Sequence, residues 1–151
     1  IDDVIEKNVG DEMIVSWPDR LDARLAALQC GLDFQQVLDQ AADRYRRTYG
    51  LAPRLRGAVH AGPVVMGEMG EQRQEIVMLG DAMNTTARMV DLCRSHDCAL
   101  LASDAVLDEN LRSPQGAGAA GLHISDIGST DIRGRNQPLR LHAVSRAAPQ
   151  P

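Results

Sequence analysis

The stretch "IVMLGDAMNTTARMV", Ile76 to Val90, constrains the fold more than any other. Its first half is a short apolar run closed by Gly80-Asp81, which reads as a strand and a tight turn. Its second half has helical spacing, and Asp81 is a good residue type for a helix N-cap. A strand that turns at once into a helix must lay that helix back over a sheet, because both need apolar surface to bury against. Aromatic residues make up only 3% of the 151, so the core must be built from Leu, Val, Ile, Ala and Met.

The rest of the chain supplies partners for this unit. "NVGDEMIVSW", Asn8 to Trp17, reads as a hairpin around Gly10-Asp11. Leu21, Leu25, Leu28 and Leu32, then Leu38, Ala41 and Tyr45, recur at helical spacing, so residues 20–48 are expected to form a long amphipathic helix, stopped by Gly50 and Pro53. "RLRGAVHAGPVVMGEMG" reads as strand, Gly62-Pro63 break and strand, and "EIVMLG" as another strand. Leu100 and Leu101 mark a further short strand. "SDAVLDENL" is expected to be a short helix capped by Ser103, and "SPQGAGAAG" a loop. The tail "HISDIGSTDIRGRNQPLRLHAV" alternates like two strands around an Arg-Gly-Arg turn. The expected class is α+β, one domain over residues 1–151, with helices packed on one face of a sheet and residues 145–151 as a disordered tail.

Composition narrows the function classes. A net charge of −5 argues against a nucleic-acid or anionic-membrane binder, which needs a basic footprint. It leaves room for one phosphorylated ligand held by a few local cations. No apolar run approaches the roughly 20 residues of a membrane helix. Cys30, Cys93 and Cys98 are an odd count without paired spacing, which suggests reduced thiols in a cytoplasmic setting, with Cys93 and Cys98 as small core residues. His60, His96, His123 and His142 are read as structural.

Asn84 and Arg88 stand four residues apart and share a helical face. They lie in the first two turns, where free N–H groups and the helix dipole favour an anion. An amide that orients a hydroxyl, beside a guanidinium that neutralises a phosphoryl group, suits phosphate-ester chemistry. On spacing alone, a solvated polar pair is an equal alternative.

Here the chain resembles the class III nucleotide cyclases, in three blocks that come in the family's order. "KNVGDEMIVSW" is similar to the family's Lys-x-x-Gly-Asp hairpin. "VHAGPVVMGEMG" followed by "IVMLGDAMNTTARM" is similar to its central strand–strand–helix signature, and "DIRGRNQPLRLHAV" to its C-terminal basic hairpin. The resemblance spans residues 4–144. It implies a ferredoxin-like, palm-type βαββαβ domain with a mostly antiparallel sheet, and a homodimer with active sites at the interface. The implied reaction converts ATP to 3′,5′-cyclic AMP and pyrophosphate by in-line attack of the ribose 3′-oxygen. Two Mg²⁺ or Mn²⁺ ions per active site would assist it.

The resemblance also implies roles. Asn84 and Arg88 match the pair that positions the ribose and stabilises charge at the α-phosphate. Arg133 and Arg135 flank Gly134 where a cation for the terminal phosphates is placed, and Arg135 is favoured slightly. Lys7 matches the position that reads the purine. Asp11 matches the second of two metal-binding aspartates.

Two departures stand out. The first metal aspartate and its strand have no counterpart: Asp2 and Asp3 fall on the wrong element, so the chain is expected to be incomplete at its N-terminus and inactive by itself. Val77 sits where adenylyl members often carry an Asp or Thr that senses the purine, and its side chain neither donates nor accepts. A guanylate or relaxed-specificity cyclase, and a degenerate cyclase-like domain that binds nucleotide or dimerises, are therefore the alternatives. The Gly-Gly-Asp/Glu-Glu/Asp-Phe hairpin of diguanylate cyclases is absent, since "VGDEM" lacks its first Gly and its Phe.

Overall fold

The computed structural model describes residues 5–70 and 75–148; Asp2 and Asp3 lie outside the described residues, as do 149–151. The chain runs β1 (Ile5–Val9), β2 (Glu12–Ser16), α1 (Leu21–Tyr49), β3 (Gly57–Val59), β4 (Val65–Met69), β5 (Glu75–Leu79) and α2 (Asp81–Ser95). It continues with β6 (Leu100–Ser103), a 3-10 turn (Asp104–Val106), α3 (Glu109–Arg112), α4 (Pro114–Ala119), β7 (Leu122–Thr130) and β8 (Leu139–Arg146). The central sheet has the order β3-β6-β8-β7, with β3 and β6 parallel and the other pairs antiparallel. Two hairpins, β1–β2 and β4–β5, form separate two-stranded sheets.

Alternate residues of a strand face opposite sides of its sheet, and here both sides are used. Leu100, Ala102 and Val144 share a buried cluster with Leu28 and Leu32 of α1. Leu101 and Leu141 share another with Met89 and Cys93 of α2. The two long helices therefore cover opposite faces, not one face as expected. The short central strand β6 is buried throughout, which periodicity alone could not separate from a half-buried strand. Fully burying a Leu contributes about 1.5–3 kcal/mol, so Leu28, Leu100, Leu101 and Leu141 anchor the layers. Gly31 lets α1 approach this closely, since a Cβ there would stand 3.0 Å from Leu100 Cδ1.

Four local expectations are corrected. Gly80, not Asp81, is the N-cap of α2; Asp81 is the first helical residue and its carboxylate is engaged elsewhere. "SDAVLDENL" breaks into the 3-10 turn and α3, because Asp108 accepts from the Leu111 N–H at 2.7 Å and starts a new helix. "SPQGAGAAG" contains α4 where a loop was expected: Ser113 accepts from the Gly116 N–H at 3.0 Å and Pro114 opens the helix. That cap and the burial of Ala117 offset the low helix propensity of two glycines. Finally, β8 runs through Ser145 and Arg146 into the expected tail, and Arg146 ion-pairs with Asp33 of α1. Among the described residues no helix is long and apolar enough to cross a membrane.

Candidate active site

The β5–α2 unit and the β7–β8 connection meet at one place. Arg135, in the turn after Ile132, donates from Nη1 to Asp81 Oδ2 at 2.8 Å and to Thr85 Oγ1 at 3.2 Å. Its own N–H closes the turn onto the Ile132 carbonyl at 3.0 Å. Between the two arginines, Gly134 holds φ at +87°, and a Cβ there would stand 2.9 Å from Arg88 Nη1. The Arg88 guanidinium thus closes on the glycine of the Arg-Gly-Arg turn, with Nη1 nearest. Asn84 is exposed one helical turn earlier, and Arg88 is half-buried.

Sequence reasoning favoured Arg135 over Arg133 for a phosphate. The structure engages Arg135 with Asp81, whereas Arg133 is exposed and makes no ion pair among the described residues. Asp81 and Thr85 join the site through Arg135, which neither residue type announces by itself. The available signal was their spacing: Asp81, Asn84, Thr85 and Arg88 follow the i, i+3, i+4, i+7 rule and form one helical stripe.

Lys7 lies on β1 and donates from Nζ to the Ile76 carbonyl at 3.0 Å. It thereby reaches from the first hairpin to the residue preceding Val77, which is half-buried on β5 opposite Gly67. Lys7 and Val77 are thus neighbours. Asp11 stands apart, exposed at the tip of the β1–β2 hairpin. No hydrogen bond or ion pair joins it to Asn84, Arg88 or the Arg-Gly-Arg turn among the described residues. Those residues also contain no group of three His, Cys, Asp or Glu that could hold a metal ion. Among the described residues Asp11 is the one carboxylate that matches a metal ligand of the resembled family, and one carboxylate does not complete a metal pair.

Beneath the site, His60 Nδ1 and the fully buried Ser103 Oγ are 2.7 Å apart. Burial lowers the His60 pKa, Arg135 lowers it further, and Asp81 opposes both. The ring is therefore a neutral, hydrogen-bonded support. His142 is likewise structural, with Nε2 at 3.1 Å from Asp104 Oδ1, and Asp104 is also held by Arg112. Cys93 is a buried core thiol whose Sγ faces the Gly57 carbonyl at 3.3 Å; burial pushes it up to about 12.

No protein-family model matches the chain. It is 37% identical over 142 residues to adenylate cyclase 2 of Rhizobium meliloti (strain 1021), covering 93% of this chain and 38% of that relative. The chain thus spans less than two-fifths of that protein's length. Its fold matches the crystal structure of the adenylyl cyclase CyaB from P. aeruginosa, with a TM-score of 0.72 at 19% identity over 96% of this chain and 72% of that one. It also matches the guanylyl cyclase Cya2, with a TM-score of 0.69 at 22% identity over 97% and 72%.

Proposed function

Because the chain belongs to the class III nucleotide cyclase family, we propose that it is the catalytic domain of an adenylate cyclase, forming 3′,5′-cyclic AMP and pyrophosphate from ATP. The observation that carries this reading is the seat of Arg88 against Gly134, one turn beyond Asn84. It brings an amide, a half-buried guanidinium and the Arg-Gly-Arg turn together along the N-terminal half of α2. The Asn84 amide orients the ribose. Arg88 faces the α-phosphate, where charge grows as the 3′-oxygen attacks and pyrophosphate departs. Little covalent work falls to the protein, so positioning and preorganised charge dominate.

Base recognition falls to Lys7 and the strand carrying Val77. Val77 offers no side-chain hydrogen bond, and Lys7 already spends one donor on the Ile76 carbonyl. A site of this kind discriminates ATP from GTP weakly, so a relaxed purine preference is the second reading.

Asp11 acts across a homodimer in the cytoplasm, supplied to the partner's Asn84 and Arg88. Two observations support the dimer. Among the described residues Asp11 is unattached to the other site groups of its own chain, and the two hairpins expose Val9 (51%), Val65 (71%), Met69 (64%) and Leu79 (60%), an apolar surface that suits a second copy. In the full-length protein, Asp11→Ala and Arg88→Ala should each lose cyclase activity, Arg88→Ala by about 10²–10³-fold. Mixing the two variants should restore part of it. Demonstrated heterodimers with no recovered cyclic nucleotide would falsify the shared site.

A further inference from the structure

We propose that Asp81 is a positioning residue of this site: it holds Arg135, folds the turn from Ile132 to Arg135 onto α2, and so seats Arg88 and leaves Arg133 as the cation for the terminal phosphates. The inference rests on the cyclase reading of the same residues. Asp81 opens α2, and its Oδ2 lies 2.8 Å from Arg135 Nη1. The same nitrogen reaches Thr85 Oγ1 at 3.2 Å, and Thr85 is fully buried, so the anchor is part of the rigid wall of the helix. Arg135 keeps 27% of its side-chain exposure, whereas Asp81 keeps 59%. The arginine is folded inward under the turn while the carboxylate sits at its mouth.

This arrangement divides the two arginines. A guanidinium held at hydrogen-bond distance by a carboxylate and a buried hydroxyl is already oriented, and its charge is largely answered. A phosphate approaching Arg135 would also meet Asp81. Arg133 lies on the other side of Gly134, exposed and without an ion pair among the described residues. The left-handed Gly134 connects them, and its bare Cα is the surface on which Arg88 rests. Releasing Arg135 from α2 would free the turn and move that surface. Asp81 therefore acts through Arg135 and Gly134 on Arg88, without touching substrate.

Steady-state kinetics of the full-length protein with ATP test this, with far-UV circular dichroism confirming that each variant is folded. Asp81→Asn and Arg135→Gln should each lower kcat roughly tenfold with little change in KM, because a misplaced Arg88 forfeits a contact made mainly in the transition state. Their double variant should be no worse than the poorer single. Arg135→Lys should recover most of the loss, since an ammonium can still pair with Asp81, and Arg133→Gln should instead raise KM. Losses that multiply in the double variant overturn the proposal, as does an Arg135→Gln that raises KM while Arg133→Gln is silent.

A substrate-free measurement separates this inference from the reading beneath it. The Arg88 guanidinium N–H resonance should shift in Asp81→Asn. A wild-type protein that turns over neither ATP nor GTP overturns the cyclase reading. An active wild type whose Arg88 resonance is unmoved by Asp81→Asn overturns the tether alone.

Discussion

Replacing Gly134 with alanine tests the seat of Arg88 most directly. Two costs arise, and they fall on different observables. The backbone stands at φ +87°, where an L side chain costs about 1–2 kcal/mol. For a chain of this size that is a fall in Tm of roughly 2–8 °C, at about 2–4 °C per kcal/mol. The second cost is positional. The new Cβ would stand 2.9 Å from Arg88 Nη1, whereas ordinary carbon contacts begin at about 3.5 Å. The flexible guanidinium gives way cheaply in energy, but it must retreat by at least about 0.6 Å. A displacement approaching 1 Å at a catalytic group costs about 10²-fold, so kcat should fall about ten- to a hundredfold. Gly128→Ala is the control: its φ is +90° and nothing lies within 4 Å of its Cβ. It should lose similar Tm and keep its kcat. Thermal melts paired with initial rates of cyclic AMP formation in the full-length protein decide the matter. If Gly134→Ala melts like Gly128→Ala and retains full kcat, then Arg88 either does not need that seat or does not serve the reaction.

Val77→Asp adds an acceptor beside the base, and it should raise the ATP-to-GTP ratio of kcat/KM roughly tenfold, the worth of one additional hydrogen bond; an unchanged ratio in competition assays refutes the placement of the base. His60 has a depressed pKa in the fold, so its contribution to stability is present above the ordinary imidazole value of 6.5 and is lost as pH falls below it. Tm should therefore drop as pH falls below 6.5, and less steeply in His60→Gln. Cys93 is raised to about 12, so its stabilising effect is intact below the ordinary thiol value of 9.0 and lost as pH climbs towards 12. At pH about 8, a thiol reagent should modify the half-buried Cys30 and Cys98 before Cys93; early labelling of Cys93 counts against a closed core around α2.

The amino-acid order alone carried the strand–turn–helix at residues 76–90, the Gly10-Asp11 hairpin, the long helix α1 and the final two strands, because each is written in local periodicity and turn chemistry. It also carried the residue types of the proposed site, since an amide and a guanidinium four apart on a helix are visible without coordinates. Local signals failed where non-local contacts outweighed them. Asp81 has the chemistry of a cap, yet Arg135, 54 residues away, engages its carboxylate. Ser103 is suited to cap a helix, yet its hydroxyl meets His60, 43 residues earlier. The sides of the sheet that α1 and α2 cover, and which of Arg133 and Arg135 remains exposed, were decided by the tertiary structure. Periodicity specifies that a face is apolar and leaves its partner open; the partner is set when the chain closes and each buried polar group must find a mate.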